Sequence, residues 1–172
     1  NGLATRMKKK EIGEYFYQQV KTLCPDVISV QEVRLEREEG KQGTVKRGSS
    51  DETHWEAFMA PLRDEFDAYL SLSSKKYGGQ AILVRKAMDK PRVTYNMGNQ
   101  GGHFKSGRFV KLECEDLIVR SVYAPFNGAG KREHYARRKA WDACLKEELR
   151  DPGLGGKARI LLGDLNVVYR NT

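Results

Sequence analysis

Two apolar runs constrain this chain more than any other feature, because each follows a helix and each ends in carboxylate and amide side chains. The first is Val27-Ile28-Ser29-Val30, which runs into Gln31-Glu32. The second spans Ala158 to Leu162 and ends at Gly163-Asp164-Leu165-Asn166. Helix-then-strand units of this kind build layered α/β folds. In open α/β sheets, ligand sites gather at the carboxyl ends of strands, so the two polar tips are where chemistry is expected. Asp164 and Asn166 lie two residues apart, which in extended backbone sends both side chains to one face. A carboxylate beside a carboxamide suits a hard cation or a phosphate oxygen. The same residue types are ordinary turn formers, so the pair alone leaves both readings open.

The rest of the pattern fits around those strands. Ile12, Phe16, Val20 and Leu23 recur at helical spacing over residues 7–24, and Pro25 stops the helix. Residues 39–51 read as an exposed loop. Ser49 and Glu52 form a capping box for a short helix carrying Trp55, Phe58 and Met59. Strands are expected over 67–72, 81–84, 93–97, 108–114 and 117–124, with Glu115-Asp116 as a hairpin turn. A second long helix covers 132–149, with Trp141, Leu145 and Leu149 spaced by four. Asp151-Pro152-Gly153 and Gly155-Gly156 break it. There is no internal repeat and no interdomain linker, and 172 residues suffice for one domain with a real core.

The formal net charge of +8 suits a polyanionic partner, either nucleic acid or an anionic membrane surface. No apolar run approaches the about 18–20 residues that a membrane span needs. Cys24, Cys114 and Cys144 share no metal-ligand spacing and read as reduced, half-buried thiols of an intracellular protein. Gly128-Ala129-Gly130-Lys131 is not a phosphate loop, since Arg132 stands where Ser or Thr is needed. Gly98 to Gly102 reads as a loop. Lys8-Lys9-Lys10 reads as a solvated helix face, and Arg132, Arg137 and Arg138 are ambiguous between solvation and phosphate contact.

Seven blocks occur in order: Asn1-Gly2-Leu3, Pro25 to Glu32, Tyr77-Gly78-Gly79-Gln80-Ala81, Ser106-Gly107-Arg108, Tyr123-Ala124-Pro125, Arg138 to Asp142 and Gly163 to Val167. No block is specific alone, but their joint order and spacing resemble the exonuclease III-type abasic-site endonucleases. The resemblance runs from end to end of the chain. It implies a two-sheet α/β sandwich of the endonuclease/exonuclease/phosphatase type, here as a single incomplete domain over 1–172 with the first sheet and part of the second. It also implies Mg²⁺-dependent hydrolysis of the phosphodiester 5′ to an abasic site, with Mn²⁺ as an alternative metal. The implied partner is double-stranded DNA containing abasic sites, bound by a monomer with no membrane. The compartment would be the nucleus or mitochondrion in a eukaryote, otherwise the cytoplasm.

The same resemblance assigns residues. Glu32 matches the metal-binding glutamate, and Asn1 a polar position of the metal site. Asp164 matches the aspartate that orients the attacking water or protonates the leaving oxygen, and it falls with Glu32, Asn1 and Asn166 in the implied metal set. Asn166 matches the asparagine touching the scissile phosphate and the metal site, and Tyr123 the active-site tyrosine. Tyr77 matches a tyrosine that contacts the DNA backbone. The physical logic agrees. Phosphodiester hydrolysis needs charge neutralisation, an activated water and help for the leaving oxygen, which one Mg²⁺, amides and a tyrosine hydroxyl can supply.

Four departures qualify the match. Val33-Arg34 replaces the family's Thr-Lys, leaving Arg34 as a DNA contact or a support for Glu32. Phe126 separates the Tyr-x-Pro block from Asn127, so Asn127 takes over a phosphate contact by a one-residue shift or the contact is lost. His103-Phe104-Lys105 stands where an acidic segment is usual. The family's downstream Ser-Asp-His block has no counterpart, because His54, His103 and His134 do not follow Ser-Asp. The expectation is a fragment that is inactive and poorly stable alone. Two alternatives stand beside the repair reading. One is another phosphodiesterase of the fold group, such as a retrotransposon-type endonuclease; the other is a non-catalytic nucleic-acid-binding module.

Overall fold

The computed structural model describes residues 2–3, 9–73, 75–97, 106–127, 131–150 and 155–167. Helix α1 spans Lys10–Leu23; the expected start at residues 7 and 8 lies outside the described residues. Phe16 and Tyr17 seat it against Phe58, with ring centroids 5.6 and 6.4 Å away, and the Tyr17 hydroxyl donates to the Phe58 carbonyl. Cys24 ends the helix in the left-handed region at φ 44° and gives its N–H to the Val20 carbonyl. That capping role leaves Cys24 exposed, not half-buried as the composition suggested. Cys114 and Cys144 are half-buried as expected, and all three thiols are free.

Helix α2 spans Ser50–Met59 and carries the expected cap: Ser49 Oγ accepts from the Glu52 N–H. The return bond lands one residue early, since the Glu52 carboxylate accepts from the N–H of Gly48. Helix α3 spans Arg132–Arg150.

Seven strands form two sheets. They are β1 (Val27–Gln31), β2 (Phe66–Ser71), β3 (Gln80–Arg85), β4 (Arg92–Thr94), β5 (Phe109–Glu113), β6 (Leu117–Tyr123) and β7 (Ala158–Asp164). The first sheet runs β1-β3-β2, all antiparallel. The second runs β4-β5-β6-β7, with β7 parallel to β6. Strand alternation sorts the apolar residues into layers. Ala81 and Leu83 of β3 join α1 and α2 on one side, around Trp55, Phe58 and Leu62. Ile82 and Val84 turn the other way and meet Val110, Leu112 and Val119 between the sheets. Phe109 and Val122 face α3, where Trp141 and Leu145 cover them. The order is therefore helices, sheet, sheet, helix, a mixed α/β fold of two packed sheets.

Two expectations need correction. The α3 stripe does not continue to Leu149, which is exposed; Glu148 is buried instead, between Arg120 and Lys111 of the second sheet. The run from Ala158 to Leu162 contains Arg159 and lies on the sheet edge, so Ile160 and Leu161 remain exposed. No helix among the described residues is long and apolar enough to cross a membrane.

Candidate active site

The ends of β1, β6 and β7 meet at one corner of the sandwich. Tyr123 closes β6 opposite Asp164 in the parallel ladder, and the Ala124 N–H extends the ladder to the Asp164 carbonyl at 2.8 Å. Across the seam, the Tyr123 hydroxyl donates to Glu32 Oε1, one residue beyond β1. The other oxygen of that carboxylate accepts from Arg34 Nη2 at 2.9 Å. The two polar tips are thus joined through Tyr123, which bonds to Glu32 by its hydroxyl and pairs with Asp164 through the backbone ladder.

The backbone turns unusually to achieve this. Glu32 and Arg34 both lie in the left-handed region, at φ 56° and 52°. Non-glycine residues there cost on the order of 1–3 kcal/mol each and cluster at functional sites. The amide groups of Val33 and Arg34 bond to the carbonyls of Gly79 and Gly78, which holds the turn. Gly79 must stay without a side chain, since a Cβ would sit 2.9 Å from Val33 Cγ2 and its φ is +76°.

Electrostatics follow from the contacts. The Tyr123 hydroxyl, and after it the Arg34 charge, hold the Glu32 carboxyl below its ordinary range, against the opposing effect of burial. Burial, and then the hydrogen bond and charge of Glu32, push the Tyr123 phenol up to about 12, so it remains a donor at neutral pH. Arg108 lies over the Tyr123 ring at 4.6 Å and the Tyr77 ring at 5.4 Å, and donates to the Tyr123 carbonyl at 3.0 Å. This buried guanidinium fixes the tyrosine from behind.

On the β7 side, Asp164 Oδ1 accepts from the Asn166 N–H at 2.8 Å. Asn166 takes φ 49°, a conformation asparagine tolerates, and its Nδ2 donates to the Ala124 carbonyl at 2.7 Å. Arg138 of α3 bonds to the Pro125 carbonyl at 3.1 Å and to Asp142 at 2.8 Å, tying the helix to the loop that follows Tyr123.

A hard divalent cation sets demands on the donor groups at this corner. Mg²⁺ takes oxygen ligands, commonly one or two carboxylates with several waters. Glu32 offers an ionised carboxylate at a partly open corner, and each of its oxygens keeps lone-pair capacity beyond one hydrogen bond. No cluster of three His, Cys, Asp or Glu exists among the described residues. That fits a largely hydrated Mg²⁺ and does not fit an all-protein cage. Asn1 lies outside the described residues.

Of the DNA-contact candidates, Tyr77 is exposed and packs on Arg108, while Arg34 is drawn onto Glu32. Asn127 is exposed, two residues past Pro125, after an equally exposed Phe126. Arg108 stood in a recognised block without a role, and Arg138 among ambiguous basic residues. Gln80 and Ser121 went unnoticed as site residues. Their signal was polarity at inward positions of otherwise apolar strands, Gln-Ala-Ile-Leu-Val and Leu-Ile-Val-Arg-Ser-Val.

Comparison with known proteins bears on the family and the fold. A DNA-(apurinic or apyrimidinic site) endonuclease of Arabidopsis thaliana is 31% identical over 95% of this chain and 48% of its own length. One of the same name from Plasmodium berghei is 29% identical over 97% of this chain and 36% of its own length. The chain thus spans between about a third and a half of these curated relatives. A solved structure of a Neisseria 3′ phosphatase, NExo, bound to a product DNA hairpin superposes with a TM-score of 0.69. It covers 99% of this chain and 56% of that one at 17% identity, which speaks to the fold alone. The family model described as Endonuclease/Exonuclease/phosphatase matches residues 6–172, and the chain belongs to that family.

Proposed function

We propose that the full-length protein is a DNA-repair endonuclease that hydrolyses the phosphodiester 5′ to an abasic site and leaves a 3′-hydroxyl. The same site would serve 3′→5′ exonuclease or 3′-phosphodiesterase reactions. The observation that supports this most is the meeting of Glu32, Tyr123, Asp164 and Asn166 at one set of strand ends. The names of the two endonuclease relatives point the same way.

In this reading Glu32 holds Mg²⁺, or Mn²⁺ in its place, and the bound cation supplies neutralisation of charge on the phosphoryl oxygens. Tyr123 fixes the Glu32 carboxylate. Asp164 orients the attacking water or protonates the leaving oxygen, as an exposed carboxylate whose Oδ2 has no partner among the described residues can. Asn166 keeps one amide hydrogen after Ala124 takes the other, and donates it to the phosphate. Tyr77, Asn127 and Arg34 line the approach of the DNA backbone. The protein acts as a monomer on duplex DNA.

The test is incision of a duplex carrying one abasic analogue, beside the same duplex without it. Mg²⁺-dependent nicking 5′ to the analogue with a 3′-hydroxyl product is expected. Equal cutting of both duplexes would replace this reading with that of a non-selective phosphodiesterase. Binding of both without cutting would make the protein a nucleic-acid-binding module.

A further inference from the structure

The seam between the sheets changes character along its length. Away from the site it is apolar, with Ile82, Val84, Val110, Leu112 and Val119. Towards the site the inward positions become polar: Ser29 and Gln31 on β1, Gln80 on β3, Ser121 on β6. These four form one hydrogen-bonded chain. Ser121 Oγ donates to Gln80 Oε1 at 2.6 Å. A serine hydroxyl has one proton, so in the 2.6 Å contact between Ser29 Oγ and Ser121 Oγ the donor is Ser29. Gln31 Nε2 in turn donates to Ser29 Oγ at 2.6 Å. The chain therefore runs in one direction, from Gln31 through both serines to Gln80, and crosses from one sheet to the other.

Gln80 is fully buried and its Nε2 has no partner among the described residues. Such a group is costly to bury, and leucine would fill similar space without that cost. What glutamine provides there is the acceptor that orients Ser121. The chain adjoins the site at two of its members. Gln31 precedes Glu32, and Ser121 shares its strand face with Tyr123, two residues on.

We infer that Ser29, Ser121 and Gln80 are positioning residues, whose interlayer hydrogen-bond chain sets the register at which Tyr123 meets Glu32. The inference rests on the reading of Glu32 and Tyr123 as part of the active site. A hydrogen-bonded chain between the layers favours the one arrangement that keeps its short contacts, where an apolar seam would tolerate sliding.

The experiment measures kcat and KM of the full-length protein on an abasic duplex in Mg²⁺, at a temperature well below every variant's Tm. Ser121→Ala and Gln80→Leu should each lower kcat by about tenfold or more with KM unchanged. Ser121→Thr, which keeps the hydroxyl, should recover most of the rate. Gln80→Leu should do this without lowering Tm, a combination that a purely structural role does not give. Wild-type kcat in both Ser121→Ala and Gln80→Leu, or equal loss in the Thr variant, would overturn the inference. Should Ser121→Ala fail to fold, Gln80→Leu and the half-buried Ser29→Ala carry the same test. Should the wild type cut no abasic DNA, the proposed function fails, and the chain is judged by NMR of ring-labelled tyrosine. A Tyr123 resonance displaced in Gln80→Leu and Ser121→Ala but restored in Ser121→Thr supports positioning. An unmoved resonance refutes it.

Discussion

Replacing Asp164 by asparagine will lower kcat for abasic-site incision by about 10²–10⁴-fold while leaving KM nearly unchanged. The substitution isolates the charge. An asparagine oxygen can still accept from the Asn166 N–H, so the turn after β7 survives. The ladder bond from Ala124 uses the Asp164 backbone and is unaffected. What disappears is an anionic oxygen able to exchange a proton with water or with the leaving group. Because that exchange belongs to the transition state, the loss falls on kcat. Single-turnover and steady-state incision assays measure it. A variant within a few-fold of the parent would remove Asp164 from the chemistry.

Replacing Glu148 by leucine will destabilise the fold by about 3–5 kcal/mol, the usual cost of leaving a buried charge without its partner. Arg120 is 1% exposed and donates Nε to Glu148 Oε1 at 3.0 Å, with Lys111 Nζ 2.9 Å from the same oxygen. With leucine at 148, the Arg120 guanidinium faces the underside of α3 with only the backbone carbonyl of residue 148, at 3.4 Å, left to receive it. For a chain of this size the Tm should drop by about 6–20 °C. The double replacement Arg120→Leu with Glu148→Leu should recover most of the loss, since removing both charges also removes their desolvation cost. Urea unfolding of the four proteins closes the cycle. Additive losses would show that the two residues do not interact.

Glu148 also shows where sequence reading stops. Spacing by four selects Leu149 for the buried stripe, yet burial at 148 is decided by Arg120 and Lys111, which arrive from strands some 30 residues earlier. Local periodicity carries no information about such partners. The elements themselves were legible, because apolar alternation, Pro25 and the Ser49 cap act locally, and each strand lies within about two residues of its expected span except β4, which ends at Thr94 where residue 97 was expected. The polar ends of β1 and β7 were also legible, from the residue types that follow each apolar run. The left-handed turn at Glu32 and Arg34 was not, since neither residue favours that conformation and only the pairing with Gly78 and Gly79 imposes it. The polar seam was equally hidden. Ser29, Gln80 and Ser121 lie on three different strands, and only the register of two sheets brings them together.

The most direct test of the account is a Mg²⁺ titration of abasic-duplex incision by the wild-type protein and by Glu32→Gln. A carboxamide at 32 lacks the charge that holds a hard cation, and its NH₂ would confront either the Tyr123 hydroxyl or Arg34, both of which now donate to the carboxylate. The account predicts a wild-type rate that vanishes in EDTA. The half-saturating Mg²⁺ of the variant should rise by about tenfold or more, at least the loss that follows removal of an outer-shell partner of a metal ligand. Superimposable titration curves for the two proteins, or wild-type incision that persists in EDTA, would contradict it.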